Sequence, residues 1–137
     1  MIGLVLDASV ALSWFLQDES DAYADGVLAD LAEMEALVPS LWLLEICNAL
    51  TVLERRRRIK EAQTARILSW VRNLPIEIDD TPIPETVDRV TSLARRLKIS
   101  AYDASYLELA IRRGLPLATL DGKLKAAAKR AGLPAAG

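Results

Sequence analysis

Ile2-Gly3-Leu4-Val5-Leu6-Asp7 opens the chain with a short apolar run that stops at an acid. A run this brief and continuous suits a strand buried on both faces, the usual condition in a parallel sheet. Ala36-Leu37-Val38, closed by Pro39, repeats the pattern. So does Leu115-Pro116-Leu117-Ala118-Thr119, with Asp121 two residues beyond it. Pro75-Ile76-Glu77-Ile78-Asp79 alternates like a strand and stops at the turn Asp80-Thr81-Pro82. Between these runs the apolar residues predict helices over 10–16, 22–34, 41–58, 61–73, 85–97, 101–113 and 122–131. Gly114 and Gly132 are placed to end the last two. The alternation predicts an α/β fold, a short parallel β-sheet flanked by helices on both faces. With no repeat, linker or low-complexity segment, residues 1–137 are expected to form a single domain.

Composition narrows the chemistry. The chain has no histidine, so neither a Ser-His-Asp nor a Cys-His nucleophile pair can be assembled within it. Cys47 is the sole cysteine, which excludes an internal disulfide and a thiolate metal site. The glycine-rich nucleotide cradles G-x-x-x-x-G-K-[ST] and G-x-G-x-x-G are absent. Enzymatic groups would therefore be carboxylates, hydroxyls and amines, and carboxylates favour hard ions such as Mg²⁺ or Mn²⁺. A net charge of -2 gives no overall basic field, so a nucleic-acid partner would need local patches or bound cations. The first residues form no basic leader, and the apolar stretch 41–53 carries Glu45. A cytoplasmic protein that does not span a membrane is expected.

Four acids occupy informative positions. Asp7 and Asp121 follow strands, where open α/β sheets place their ligand crevice. Asp103 lies in the first turn of its helix. Glu45 sits a turn into a helix among Leu41, Trp42, Leu43, Leu44, Ile46 and Cys47, where a carboxylate is expensive to bury uncompensated. Asn48, one turn on, could hold it. Each aspartate also has a plainer reading: Asp7 and Asp121 as helix caps, and Asp103 within the capping box begun by Ser100. Glu45 fits that account badly, and the combination favours a metal site.

Val5-Leu6-Asp7-Ala8-Ser9, Glu45-Ile46-Cys47-Asn48-Ala49-Leu50, Ala101-Tyr102-Asp103-Ala104 and Leu117-Ala118-Thr119-Leu120-Asp121 resemble, in order and spacing, the four signatures of PIN-domain nucleases. They are most similar to the VapC ribonuclease toxins of toxin–antitoxin pairs. The resemblance implies a PIN-like fold and a Mg²⁺-dependent endoribonuclease, Mn²⁺ being a possible substitute. It further implies a homodimer and inhibition by a cognate VapB-type antitoxin. Asp7, Glu45, Asp103 and Asp121 would hold one or two ions and act on the RNA phosphodiester through an activated water. Ser9 and Thr119 would orient carboxylates or phosphate, although both also suit turn and cap hydroxyls.

Arg55-Arg56-Arg57-Arg58 ends the long predicted helix and reads either as a solvated terminus or as RNA contact, with Arg112, Arg113, Lys123 and Lys125 assisting. Arg55, Arg56 and Lys123 are the RNA-binding candidates, Lys123 standing two residues past Asp121. Trp14-Phe15-Leu16 and Leu41-Trp42-Leu43-Leu44 are apolar all round, which predicts that part of this surface meets a partner or is buried on several sides. Two other enzyme-like classes fit less well. A haloacid-dehalogenase phosphatase wants an acid where Ser9 stands, and a phospho-receiver wants an acidic pair near the first strand. A catalytically silent, metal-stabilised module that binds RNA or protein is the alternative.

Overall fold

A computed structural model describes residues 1–16 and 21–136; the last residue of the expected 1–137 domain lies outside them. Among the described residues a four-stranded parallel sheet runs in the order β3-β2-β1-β4, formed by Ile2–Leu6 (β1), Glu35–Val38 (β2), Ile76–Ile78 (β3) and Leu117–Ala118 (β4). The connecting helices are Ala8–Phe15 (α1), Ala22–Asp30 (α2), Leu41–Arg55 (α3), Glu61–Asn73 (α4), Val87–Leu97 (α5), Ala101–Arg113 (α6) and Gly122–Arg130 (α7). This is the expected α/β architecture. Leu4, Val5 and Leu6 are buried, as are Ala36, Leu37 and Val38, so the two central strands are covered on both faces. Gly3 lies where the β1–β2 register shifts, and a Cβ there would meet the Met34 sulfur at 2.2 Å. The missing side chain leaves the space that the Met34 thioether fills.

Several boundaries differ from the periodicity. Helix α1 begins at Ala8 rather than Val10, directly from the strand end. Helix α2 stops at Asp30 rather than Met34, and residues 31–34 turn into β2. Helix α3 ends at Arg55 rather than Arg58, because Arg57 takes a left-handed φ of 57°. Ile83–Glu85 forms a 3-10 turn shaped by Pro82 and Pro84, so α5 starts at Val87 rather than Glu85. Gly114 (φ 64°) closes α6 and Gly132 (φ 82°) follows α7, both in the left-handed region that glycine enters without strain. Among the described residues no helix is long and apolar enough to cross a membrane.

The apolar residues at the start of α3 divide between two sides of the helix. Trp42 is 1% exposed and packs in the core with Ile46 and Leu50, whereas Leu43 and Leu44 on the opposite side are exposed. Trp14, Phe15 and Leu16 are half-buried and line a groove with Ile67 and Trp70, and Trp14 Nε1 donates to the Ala24 carbonyl at 2.7 Å.

Candidate active site

Asp7 ends β1, and its amide donates to the Ala118 carbonyl of β4 at 2.9 Å. The two strand ends therefore lie side by side at the carboxyl edge of the sheet. The Asp7 side chain is buried at 7% exposure. Although the residue occupies the N-cap position of α1, its carboxylate makes no capping hydrogen bond. Instead Asp7 Oδ2 accepts the Ser9 hydroxyl at 2.6 Å and the Thr119 hydroxyl at 2.7 Å. Each hydroxyl oxygen in turn accepts an amide: Leu120 N–H at Ser9 Oγ and Asp121 N–H at Thr119 Oγ1, both at 3.0 Å. Ser9 and Thr119 thus orient a carboxylate, one of the two functions expected of them.

The other acids arrive on separate helices. Asp103 is the third residue of α6, whose first turn is capped by the Ser100 hydroxyl accepting the Asp103 amide at 3.0 Å. That backbone is capped as expected, and the Asp103 carboxylate is left half-buried. Glu45, on α3, accepts the hydroxyl of Tyr106 from α6. Asn48 is exposed, and among the described residues its side chain makes no hydrogen bond to Glu45; Tyr106 holds Glu45 instead. Asp121 does cap: its Oδ1 accepts the amides of Lys123 at 2.9 Å and Leu124 at 3.3 Å.

The acids share a field. Burial pushes the Asp7 carboxyl above the usual carboxylate range, outweighing the Ser9 and Thr119 hydrogen bonds, and the Asp121 charge adds to it. Burial also raises Glu45 against the pull of Tyr106, with the charges of Asp7 and Asp103 contributing. Asp103 is raised by burial and by Asp121 and Asp7, while Lys123 draws it down. These are the marks of like charges held near one another. Among the described residues no three of them stand close enough to ligate one ion together. The donor set itself, all carboxylate with hydroxyl support, has the chemistry that hard divalent cations select.

The basic residues divide. Lys123 is exposed beside the acids, near enough for its charge to act on Asp103. Arg55 and Arg56 are exposed at the far end of α3, ten positions past Glu45 and so about 15 Å along the helix axis. Arg112, expected to assist RNA contact, is engaged within the protein. It donates to Asp79 at 2.9 Å, to Thr81 at 3.0 Å and to the buried Glu108 at 2.9 and 3.1 Å, and Arg89 shares Glu108. The Asp79-Asp80 turn is thereby tied to α6. Lys125 rests over the Tyr23 ring at 5.3 Å.

Known proteins place this geometry in a family. The model of the PIN domain matches residues 4–130. Ribonuclease VapC9 of Mycobacterium tuberculosis is 34% identical over 122 residues, which cover 88% of this chain and 87% of that protein. Ribonuclease VapC3 of Pyrobaculum aerophilum is 26% identical over 121 residues, covering 88% and 91%. The crystal structure of PAE2754 from Pyrobaculum aerophilum superposes with a TM-score of 0.73 at 26% identity, covering 98% of this chain and 92% of that one. The chain therefore belongs to the PIN-domain family, in the branch that holds these VapC relatives.

Proposed function

We propose that the protein, as one domain over residues 1–137, is a Mg²⁺-dependent endoribonuclease, the toxin component of a type II toxin–antitoxin pair. The observation that carries this reading is Asp7. It is a buried carboxylate that caps no helix and is gripped by two hydroxyls, and other acids act on it electrostatically. Uncompensated, such a charge is costly to bury, and a bound cation removes the cost. The relatives named ribonucleases supply the reaction class.

In this reading Asp7, Glu45, Asp103 and Asp121 would close up to hold one or two ions, Mg²⁺ or in its place Mn²⁺. Bound there, a divalent ion supplies positive charge against the phosphate oxygens and makes a water more acidic. The chain's own residues do the rest. Ser9 and Thr119 keep Asp7 in one rotamer by fixing Oδ2. Asp121 pins the start of α7, which presents Lys123 toward the backbone of a bound RNA. A VapB-type antitoxin, a second copy of the chain and a cytoplasmic setting belong to the same reading. Exposed apolar side chains such as Leu44, Trp70 and Ile83 support the partners.

The test is cleavage of single-stranded RNA by purified protein in Mg²⁺ and in excess chelator, alongside Asp7→Asn and Asp103→Asn. Cleavage only with metal, lost in both folded variants, is the expected result. Full activity in chelator, or wild-type rates in either variant, would overturn it. RNA binding strengthened by Mg²⁺ without any cutting would instead favour the silent binding module.

A further inference from the structure

Tyr106 stands where three acid-bearing segments meet. It lies on α6 three residues after Asp103, one helical turn along the same side. Its side chain is completely buried, and its hydroxyl donates to Glu45 Oε1 on α3, 61 positions away in sequence. Burial and the Glu45 and Asp7 charges all act to keep the proton on that hydroxyl. A buried hydroxyl left unbonded is costly, so a phenol here is expensive unless its bond is kept.

Asp7 and Glu45 share a pattern. Asp7 takes both of its hydroxyl donors on Oδ2, which leaves Oδ1 with no side-chain donor among the described residues. Glu45 takes Tyr106 on Oε1, and among the described residues Oε2 receives no hydrogen bond. Glu45 is thus anchored by one oxygen and offers the other, while Asp7 keeps both hydroxyl donors on one oxygen. Carboxylates that ligate metals are commonly oriented by such outer partners.

We propose that Tyr106 is a positioning residue of the acidic cluster, its hydroxyl fixing Glu45 so that the free oxygen is presented to a divalent cation. The proposal rests on the metal-site reading above, and it assigns Tyr106 no contact with substrate or ion. Core packing fixes the two helix backbones, and this bond sets the Glu45 carboxylate relative to Asp103.

The test is Mn²⁺ binding, followed by calorimetry and by the loss of free-ion electron paramagnetic resonance signal. It compares wild type, Tyr106→Phe, Glu45→Ala and the double variant, with circular dichroism to confirm each fold. Tyr106→Phe keeps the ring and removes only the hydroxyl. It should weaken Mn²⁺ binding by roughly 10–100-fold. In the Glu45→Ala background the same change should have no further effect, because the group it positions is gone. Wild-type affinity in Tyr106→Phe, or an equal loss with and without Glu45, would overturn the positioning role while leaving the metal site intact. Should Tyr106→Phe fail to fold, Glu45→Ala with wild-type Mn²⁺ affinity would still overturn it. A wild type that binds no Mn²⁺ would bring down the metal-site reading, and the proposal with it.

Discussion

Thr119 grips Asp7 across the sheet: from 112 positions later in the chain its hydroxyl donates to Asp7 Oδ2 at 2.7 Å, while its oxygen receives the Asp121 amide at 3.0 Å. One buried hydroxyl therefore joins the ends of β1 and β4. Thr119→Val keeps the shape, removes the donor and orphans the Asp121 amide. It should lower stability by about 1–3 kcal/mol in urea unfolding. Thr119→Ser should restore most of it. A valine variant as stable as wild type would show that the hydroxyl holds nothing.

Asp7 and Asp121 make opposite predictions. Asp121 caps α7, so in chelator Asp121→Ala should cost ~0.5–2 kcal/mol. Asp7 caps nothing, and its charge is disfavoured by burial and by Asp121. In chelator Asp7→Asn should melt at or above the wild-type temperature, because Asn still accepts both hydroxyls without the charge. Millimolar Mg²⁺ should raise the wild-type melting temperature by mass action and that of Asp7→Asn much less. An asparagine variant that melts lower in chelator yet shifts equally with Mg²⁺ would make Asp7 structural.

The pH dependence of the metal-free protein follows from the same charges. Asp7, Glu45 and Asp103 are raised above ordinary values of 3.8, 4.5 and 3.8, so the folded state holds their protons more tightly than the unfolded state. Their contribution is fully present below those ordinary values and is lost as pH rises through the raised ones. Asp79 runs the other way. Burial raises it, but the Arg112 and Thr81 bonds together lower it below 3.8, so its contribution is lost as pH falls through that lowered value. Melting in chelator should therefore peak on the acid side of neutrality, and Asp7→Asn should flatten the decline toward pH 7. A melting temperature that climbs steadily to neutrality would contradict these shifts.

Much of this was legible in the residues, for physical reasons. Leu4-Val5-Leu6 reads as a doubly buried strand because no polar side chain interrupts it, and Asp7 then falls at the sheet edge by topology alone. Glu45 was conspicuous because a carboxylate among apolar neighbours needs a partner. The partner was not legible: Tyr106 lies 61 positions away, and only the crossing of α3 and α6 brings it near. Nor was the rotational phase of α3, since Trp42, Leu43 and Leu44 are all apolar and packing alone decides that Trp42 turns inward. The caps looked alike in sequence because an aspartate before a helix suits a cap at either site. Competing hydroxyls divert Asp7, whereas Asp121 reaches its own amides.

Arg112 offers a check on surface charge. It bridges Asp79 and Glu108, the latter 4% exposed, and was expected from sequence to assist RNA. Arg112→Ala should lower stability by about 3 kcal/mol, the low end for a buried pair losing one partner, because Arg89 still faces Glu108. The cleavage rate per folded molecule should be unchanged. A variant of wild-type stability with weakened RNA binding would return Arg112 to the RNA surface.

Lys123 is the basic residue whose position best suits a phosphate. Its backbone is fixed by the Asp121 cap at the start of α7, its side chain is exposed, and its charge already reaches Asp103. Arg55 and Arg56 lie about 15 Å along α3 from Glu45, beyond a short RNA seated at the acids. Binding measured in an Asp7→Asn background separates affinity from cutting. There, Lys123→Ala should weaken a short single-stranded oligonucleotide and reduce the slope of log affinity against log salt by about 0.7, the value for one phosphate contact. The paired change Arg55→Ala and Arg56→Ala should leave that oligonucleotide's slope unaltered and act only on longer RNA. The reverse result, with Lys123→Ala silent and the arginine pair lowering the slope for the short strand, would place the RNA path along the end of α3 instead of across the start of α7.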